Sequence, residues 1–238
     1  MDETEQRITK ALQLTHVLRP PKQHLATFGT TNVRYYVVTE PAYKDVVSGE
    51  EESVIREGNV VSQKPAIVTP GYMLNLEGFG QDARNYLESL KRRFGPNSPG
   101  LLYEYRNEPG NLEIVGGQVS EVARRIADDL DKRSVDSAAV IVGVDELWDI
   151  SLMKFIYDYT TASLSSNVSQ IQALGLLQPD PQSEVPIGVI QGIEELFKQA
   201  EQGLDPKVLH QELTRWGLFE HYQDRFLNLC RRGSTGSP

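Results

Sequence analysis

Residues 138–164 read AAVIVGVDELWDISLMKFIYDYTTASL. The unbroken apolar run Ala138 to Val142 is what a strand covered on both faces requires, because a half-exposed strand alternates. Such a strand belongs inside a sheet. After Gly143 the period changes to that of a helix, with Leu152, Phe155, Ile156 and Tyr159 on one stripe and Met153, Ile156, Tyr157, Thr160 and Leu164 on a second. Only Lys154, Asp158 and Thr161 form a polar strip, so this helix is expected to be covered on most sides.

Upstream, Val119, Val122, Ala123, Ile126, Ala127 and Leu130 define a single-faced amphipathic helix that leads directly into the Ala138 strand. A strand before it completes a βαβ crossover, expected to be right-handed. Leu101 to Arg106 and Asn111 to Val115 flank Glu108-Pro109-Gly110-Asn111, whose Pro and Gly suit a type II turn and predict a hairpin. Gln81 to Phe94 reads as a helix with Ala83, Tyr86, Leu87, Leu90 and Phe94 on one face, stopped by Gly95-Pro96. From His24 to Val68 strand formers dominate (LATF, NVRYYVVTE, SVI, VVSQKPAIV), and Glu57-Gly58-Asn59 is a hairpin signal. Residues 44–52, KDVVSGEEE, read as an exposed loop. A short helix over 4–18 stops at Arg19-Pro20-Pro21.

Beyond Asp145 only helical signals occur. Val168, Ile171 and Leu174 extend or restart the Met153 helix, and Gly175 stops it. After the proline-rich stretch 178–186, one helix carries Val189, Ile193 and Phe197. A second starts on Asp205-Pro206, and a third carries Phe219, Tyr222, Phe226 and Leu229. The expected fold is therefore α+β: a mixed sheet of β-hairpins and one βαβ crossover, with an all-helical C-terminal part. The expected divisions are a helix and Pro-Pro connector over 1–22, a sheet domain over 23–143, helices over 144–232, and a tail over 233–238.

The 238 residues, 39% hydrophobic and 24% charged with mean hydropathy −0.39, have the composition of a globular protein. The acidic start MDETEQR lacks the base and apolar core of a signal peptide, and no run approaches the roughly 18 apolar residues of a membrane span. The reading is a cytoplasmic protein without a membrane partner. In that compartment the sequon Asn167-Val168-Ser169 is a chance match. The single cysteine, Cys230, excludes an internal disulfide and any cysteine-based metal cluster. A net charge of −9 disfavours nucleic acid as a partner.

Candidate sites are few. Asp145, Glu146 and Asp149 follow the buried strand, where ligands of parallel sheets bind and where carboxylates hold Mg²⁺. The plainer reading is that they complement a helix start. No G-x-x-x-x-G-K-[ST] accompanies them, so a Walker-type ATPase is excluded. Arg34 and Tyr36, with Tyr103 and Tyr105, are a possible base-stacking set, against which stands the ordinary fitness of tyrosine for strands. His24 alone among the histidines lies off a predicted helix, and Glu77-Gly78-Phe79-Gly80 reads as a plain turn. Trp216, Phe219 and Tyr222 are the candidate anchors of a protein interface. No cofactor and no metal site is assigned. Complete catalytic constellations are absent while apolar helical surface is plentiful, so the expected function is non-catalytic protein interaction or regulation, with another protein or self-association as partner. The rival is a divalent-metal-assisted phosphoryl hydrolase or transferase built on Asp145, Glu146 and Asp149.

Overall fold

The computed structural model describes residues 3–43, 51–78 and 80–234, with side chains to 231. Outside the described residues fall 44–50 of the expected loop, Phe79 of the expected turn, the side chain of Arg232, and the tail from 235. In chain order the elements begin with α1 (Glu3–Leu14), β1 (His16–Arg19), β2 (Thr31–Glu40), β3 (Glu52–Ser62), β4 (Ala66–Val68), α2 (Pro70–Leu74), α3 (Gln81–Phe94) and β5 (Gly100–Leu102). They continue with β6 (Tyr105–Gly116), α4 (Val119–Lys132), β7 (Ala138–Val144), α5 (Trp148–Ala173), α6 (Ile187–Glu201), α7 (Pro206–Arg215) and α8 (Phe219–Ser234). The fold is α+β with a mixed sheet, and the chain beyond β7 is helical. Among the described residues no helix is long and apolar enough to cross a membrane.

Two compact units form, Met1–Lys64 with Tyr103–Val168 and Pro65–Leu102 with Ser169–Pro238. This division differs from the boundaries at 22 and 143 suggested by composition, because the chain enters the second unit twice.

The first unit is a five-stranded sheet in the order β1-β7-β2-β3-β6. β7 runs parallel to β2, with Tyr35 opposite Ala139 and Val37 opposite Ile141, and antiparallel to β1. Ala138, Ala139, Val140 and Ile141 have no exposed surface, which is why this strand alone reads as a continuous apolar run. Strand alternation divides the core in two. Val33, Tyr35, Val37, Ala139 and Ile141 meet Leu152, Phe155 and Ile156 of α5 on one face. Val38, Ala138 and Val140 meet Val122, Ala123, Ala127 and Leu130 of α4 on the other. Each large aliphatic side chain so buried contributes about 1.5–3 kcal/mol. The crossover β6-α4-β7 carries the chain past β3 and β2 before it re-enters the sheet.

Both expected hairpin turns prove to be continuous strand. Gly58 lies within β3, opposite Tyr35 on one side and Pro109 on the other. A Cβ at Gly58 would collide with the Tyr35 ring and hydroxyl, so the glycine makes a notch for a buried tyrosine rather than a turn. Pro109 and Gly110 likewise lie within β6, an edge strand, where proline's missing N–H leaves no ladder bond unmade. A register shift between Arg56 and Gly58 absorbs the extra residue.

Other expectations are corrected too. The first helix ends at Leu14, and Leu18 belongs to β1. Arg19, read as part of a helix stop, is a buried cation. Its guanidinium donates to Asp131 (3.0 and 3.1 Å) and to the carbonyls of Val135 and Ala138 (2.6 Å each), which ties β1 to the turn between α4 and β7. Residues 25–28, LATF, form no strand. The second stripe of α5 is not covered: Met153 and Tyr157 are 63% and 71% exposed.

In the second unit β4 pairs with β5, and Val185, Val189, Ile193, Phe197, Leu209, Leu213 and Leu218 form the core. Asp205 caps α7 by accepting from the Lys207 amide (2.9 Å), ahead of Pro206 at the first helical position. Thr69 and Pro70 start the short α2, which has no signature in the sequence reading, in the same manner.

Candidate functional site

β2 and β7 end side by side, Glu40 opposite Val144, and Asp145 follows immediately. Its carboxylate accepts from the Arg56 guanidinium, from the Thr39 hydroxyl (3.0 Å) and from the Ala42 amide (3.0 Å). Arg56 also lies over the Trp148 ring, 5.8 Å from its centroid. Burial raises the Asp145 pKa, but the Arg56, Ala42 and Thr39 bonds outweigh it and hold the carboxyl below its ordinary value.

Glu146 turns instead to Arg7 (3.2 Å, both exposed), and Asp149 to the amide of Ile150 (2.9 Å). The three carboxylates thus diverge to three different partners. Among the described residues no group of three or more His, Cys, Asp and Glu is placed to hold a metal ion. Nor does Asp145 cap a helix: it opens a single 3-10 turn, Asp145–Leu147, ahead of α5, and Val144 holds the cap position of that turn. The residue missed in the sequence is Arg56. A charge at an inward position of strand β3 demands an opposite charge, and that demand was its only available signal.

His24 is exposed, in the irregular segment between β1 and β2. Arg34 pairs with Glu57 (3.2 Å) and lies over Tyr36, which packs on the α4 side of the sheet. Tyr103 and Tyr105 point the other way, to α5. The four residues form no common stacking surface.

The α5 side holds a buried polar network. The Tyr105 and Thr160 hydroxyls are bonded, and the Tyr159 hydroxyl donates to the Gln23 carbonyl (2.7 Å). Ser163 donates to the Tyr159 carbonyl (2.8 Å) and accepts from the Leu25 amide (3.0 Å). Asn167, with its nitrogen turned to the Ser163 and Leu25 carbonyls (3.0 Å each), accepts from Tyr103 (3.2 Å). It has no exposed surface, so the sequon is inaccessible in the folded chain. Burial, followed by the neighbouring Tyr105, pushes the Tyr159 hydroxyl up to about 12. These groups are committed to one another and to the backbone of Gln23 and Leu25. The Thr27 hydroxyl, also buried, has no partner among the described residues.

Trp216, Phe219 and Tyr222 pack within the second unit. Trp216 lies against Tyr72 (4.5 Å between centroids), Phe219 against His210 (4.9 Å) and Tyr222 against Phe197 (5.5 Å). All three are partly buried against its core.

The open apolar surface lies elsewhere. Leu112 and Ile114 of β6, 57% and 49% exposed, stand opposite Arg56 and Val54. Arg56 and Val54 in turn stand opposite Val37 and Thr39, which places Leu112 and Ile114 on the α5 side. The Thr160–Tyr105 bond turns the flank of α5 bearing Met153, Tyr157 and Leu164 toward that same edge strand. A helix and an edge strand thus border an apolar face without cover from the described residues. Periodicity found the helix stripe but not its exposure, and the expected hairpin hid the strand. No family model matches the sequence, and no curated protein or solved structure is similar to it.

Proposed function

We propose that the chain is a non-catalytic protein-interaction module that docks a partner, or a second copy, on the face between α5 and β6. One observation carries this reading: α5 buries Leu152, Phe155, Ile156 and Ile171 on one side and yet leaves a second apolar stripe in the open. It buries Ser151, Ser163 and Asn167 completely while Met153, Tyr157 and Leu164 are 63%, 71% and 43% exposed. An apolar residue in water forgoes about 25 cal/mol per Å² of possible burial, and Met and Tyr are favoured interface residues. The metal-dependent phosphoryl-transfer reading has less support, because Asp145 is engaged by Arg56 and its two acidic neighbours turn away.

A photo-crosslinking residue placed at Met153 or Tyr157 in cells making the protein is expected to give discrete adducts, with none from Arg124 on the exposed side of α4. Equal labelling at all three positions would overturn the reading. Phosphoester turnover with Mg²⁺ or Mn²⁺ that disappears in Asp145→Asn would establish the rival.

A further inference from the structure

Among the described residues β6 pairs with β3 and has no strand on its other side. The two halves of that free edge differ. In the first half Pro109 has no N–H to offer, and Gly110 and Asn111 stand together against Glu57 at the register shift, which breaks the line of the edge. The second half, residues 112–116, keeps its register with β3. The Gly117 amide donates to the Glu51 carbonyl (2.7 Å), and antiparallel partners alternate between bonded and unbonded pairs. Val115 with Ser53 and Glu113 with Ile55 therefore make the ladder bonds, while the N–H and C=O groups of Leu112, Ile114 and Gly116 point out of the sheet. A Cβ on Gly116 would meet nothing within 4 Å. Leu112 and Ile114 carry exposed side chains on the α5 side, and Glu113, on the α4 side, is exposed and pairs with no cation among the described residues.

Resting on the docking reading above, we propose that the partner enters the α5–β6 face as an extended segment of another protein, bonded antiparallel along residues 112–116, with apolar and basic side chains in alternation. Backbone donors and acceptors repeating every second residue are matched by a strand, whereas a helix has already spent its own on itself. The residues of the incoming strand opposite Leu112 and Ile114 share their side of the sheet and lie toward the apolar flank of α5, so they are apolar. The residue between them stands opposite Glu113, in the unbonded kind of pair where side chains approach most closely, and a base there answers the carboxylate. A second copy fits less well: its own 112–116 reads LEIVG, without a base, and it sets a charge of −9 against −9.

The test follows a short fluorescent peptide of alternating valine and lysine by anisotropy with the full chain. Saturable binding is expected, weakening with added salt. Methylating the peptide amides on one edge should weaken it at least about tenfold, and methylating those on the other edge should not. Ile114→Pro removes an outward donor and no ladder bond, and should weaken binding similarly; Glu113→Lys should shift the preference to a glutamate-containing peptide. On binding, the amides of Leu112, Ile114 and Gly116 should become protected from hydrogen exchange, while those of Glu113 and Val115 are protected already. If circular dichroism melts show Ile114→Pro to be unfolded, the methylated peptides decide the matter on the unaltered chain. The inference is overturned if no peptide binds, if methylation of neither edge matters, if a helical peptide with leucines at i, i+3, i+4 and i+7 binds better, or if sedimentation shows a dimer that Ile114→Pro abolishes. Cellular adducts at Met153 without strand binding would overturn the extended occupant and leave the docking reading standing; absence of both would remove both.

Discussion

Helices α4 and α5 cover opposite faces of one sheet by different means. α4 buries Val122, Ala123, Ala127 and Leu130, all apolar, and turns its charged residues outward. α5 buries Leu152, Phe155, Ile156 and Ile171 together with the polar Ser151, Ser163 and Asn167, and exposes Met153, Tyr157 and Leu164. A helix whose only task is to close a core has no cause to do this. In α5 the inward polar groups hold irregular chain, Leu25 and Tyr103, whose backbone and hydroxyl groups need partners once buried. The outward apolar groups are those on which the proposed partner would dock.

The comparison breaks first at the shared part. Phe155→Ala should cost about 3–5 kcal/mol and Leu130→Ala about 2–5 kcal/mol in chemical denaturation, because each leaves a cavity against the sheet. A loss below about 1 kcal/mol for Phe155→Ala would mean that α5 is peripheral. Next, Asn167→Leu should cost about 1–3 kcal/mol despite the added apolar bulk, since two carbonyls and the Tyr103 hydroxyl lose their partner. A neutral result would reduce the polar network to decoration.

A smaller effect is expected with pH. The folded state holds Asp145 below its unfolded pKa, so its contribution is full above the unfolded value and is lost as pH falls through the folded one. Asp145→Asn should therefore flatten the stability profile on the acid side, where the wild type declines, and an unchanged profile would show that the Arg56 pairing is weak. Smallest of all, Met153→Ser and Tyr157→Ser should each change stability by no more than about 0.5 kcal/mol, because exposed positions contribute little to the fold. A larger loss in urea melts would place them in a core and remove the contrast with α4.

The central strand and α4 were legible because their cause is local: an unbroken apolar run needs two covered faces, and a single stripe needs one. The glycine of Glu57-Gly58-Asn59 was not, because a turn and a notch demand the same residue. What distinguishes them is Tyr35, which reaches Gly58 only through pairing of β2 with β3. Pro109-Gly110 misleads in the same way, since only the position of β6 at the sheet edge makes it tolerable. The acidic triplet after β7 was seen, but Arg56, 89 residues away, decides what Asp145 does. Periodicity marks Met153, Tyr157 and Leu164 as apolar and says nothing of whether another element lies over them.

The position of β7 also sets a timetable. It separates β1 from β2, yet it is residues 138–144, more than a hundred positions after β1 at residues 16–19. A chain growing from its N-terminus holds β2 and β3 long before β7 arrives, with the β7-side edge of β2 still unpaired and Val33, Tyr35, Val37 and Val38 on its faces. Closing so long a loop is entropically slow, and an apolar strand edge kept waiting is the place where a nascent or refolding chain meets another copy of itself. Refolding yield should therefore fall with protein concentration well before the native state itself shows any tendency to aggregate.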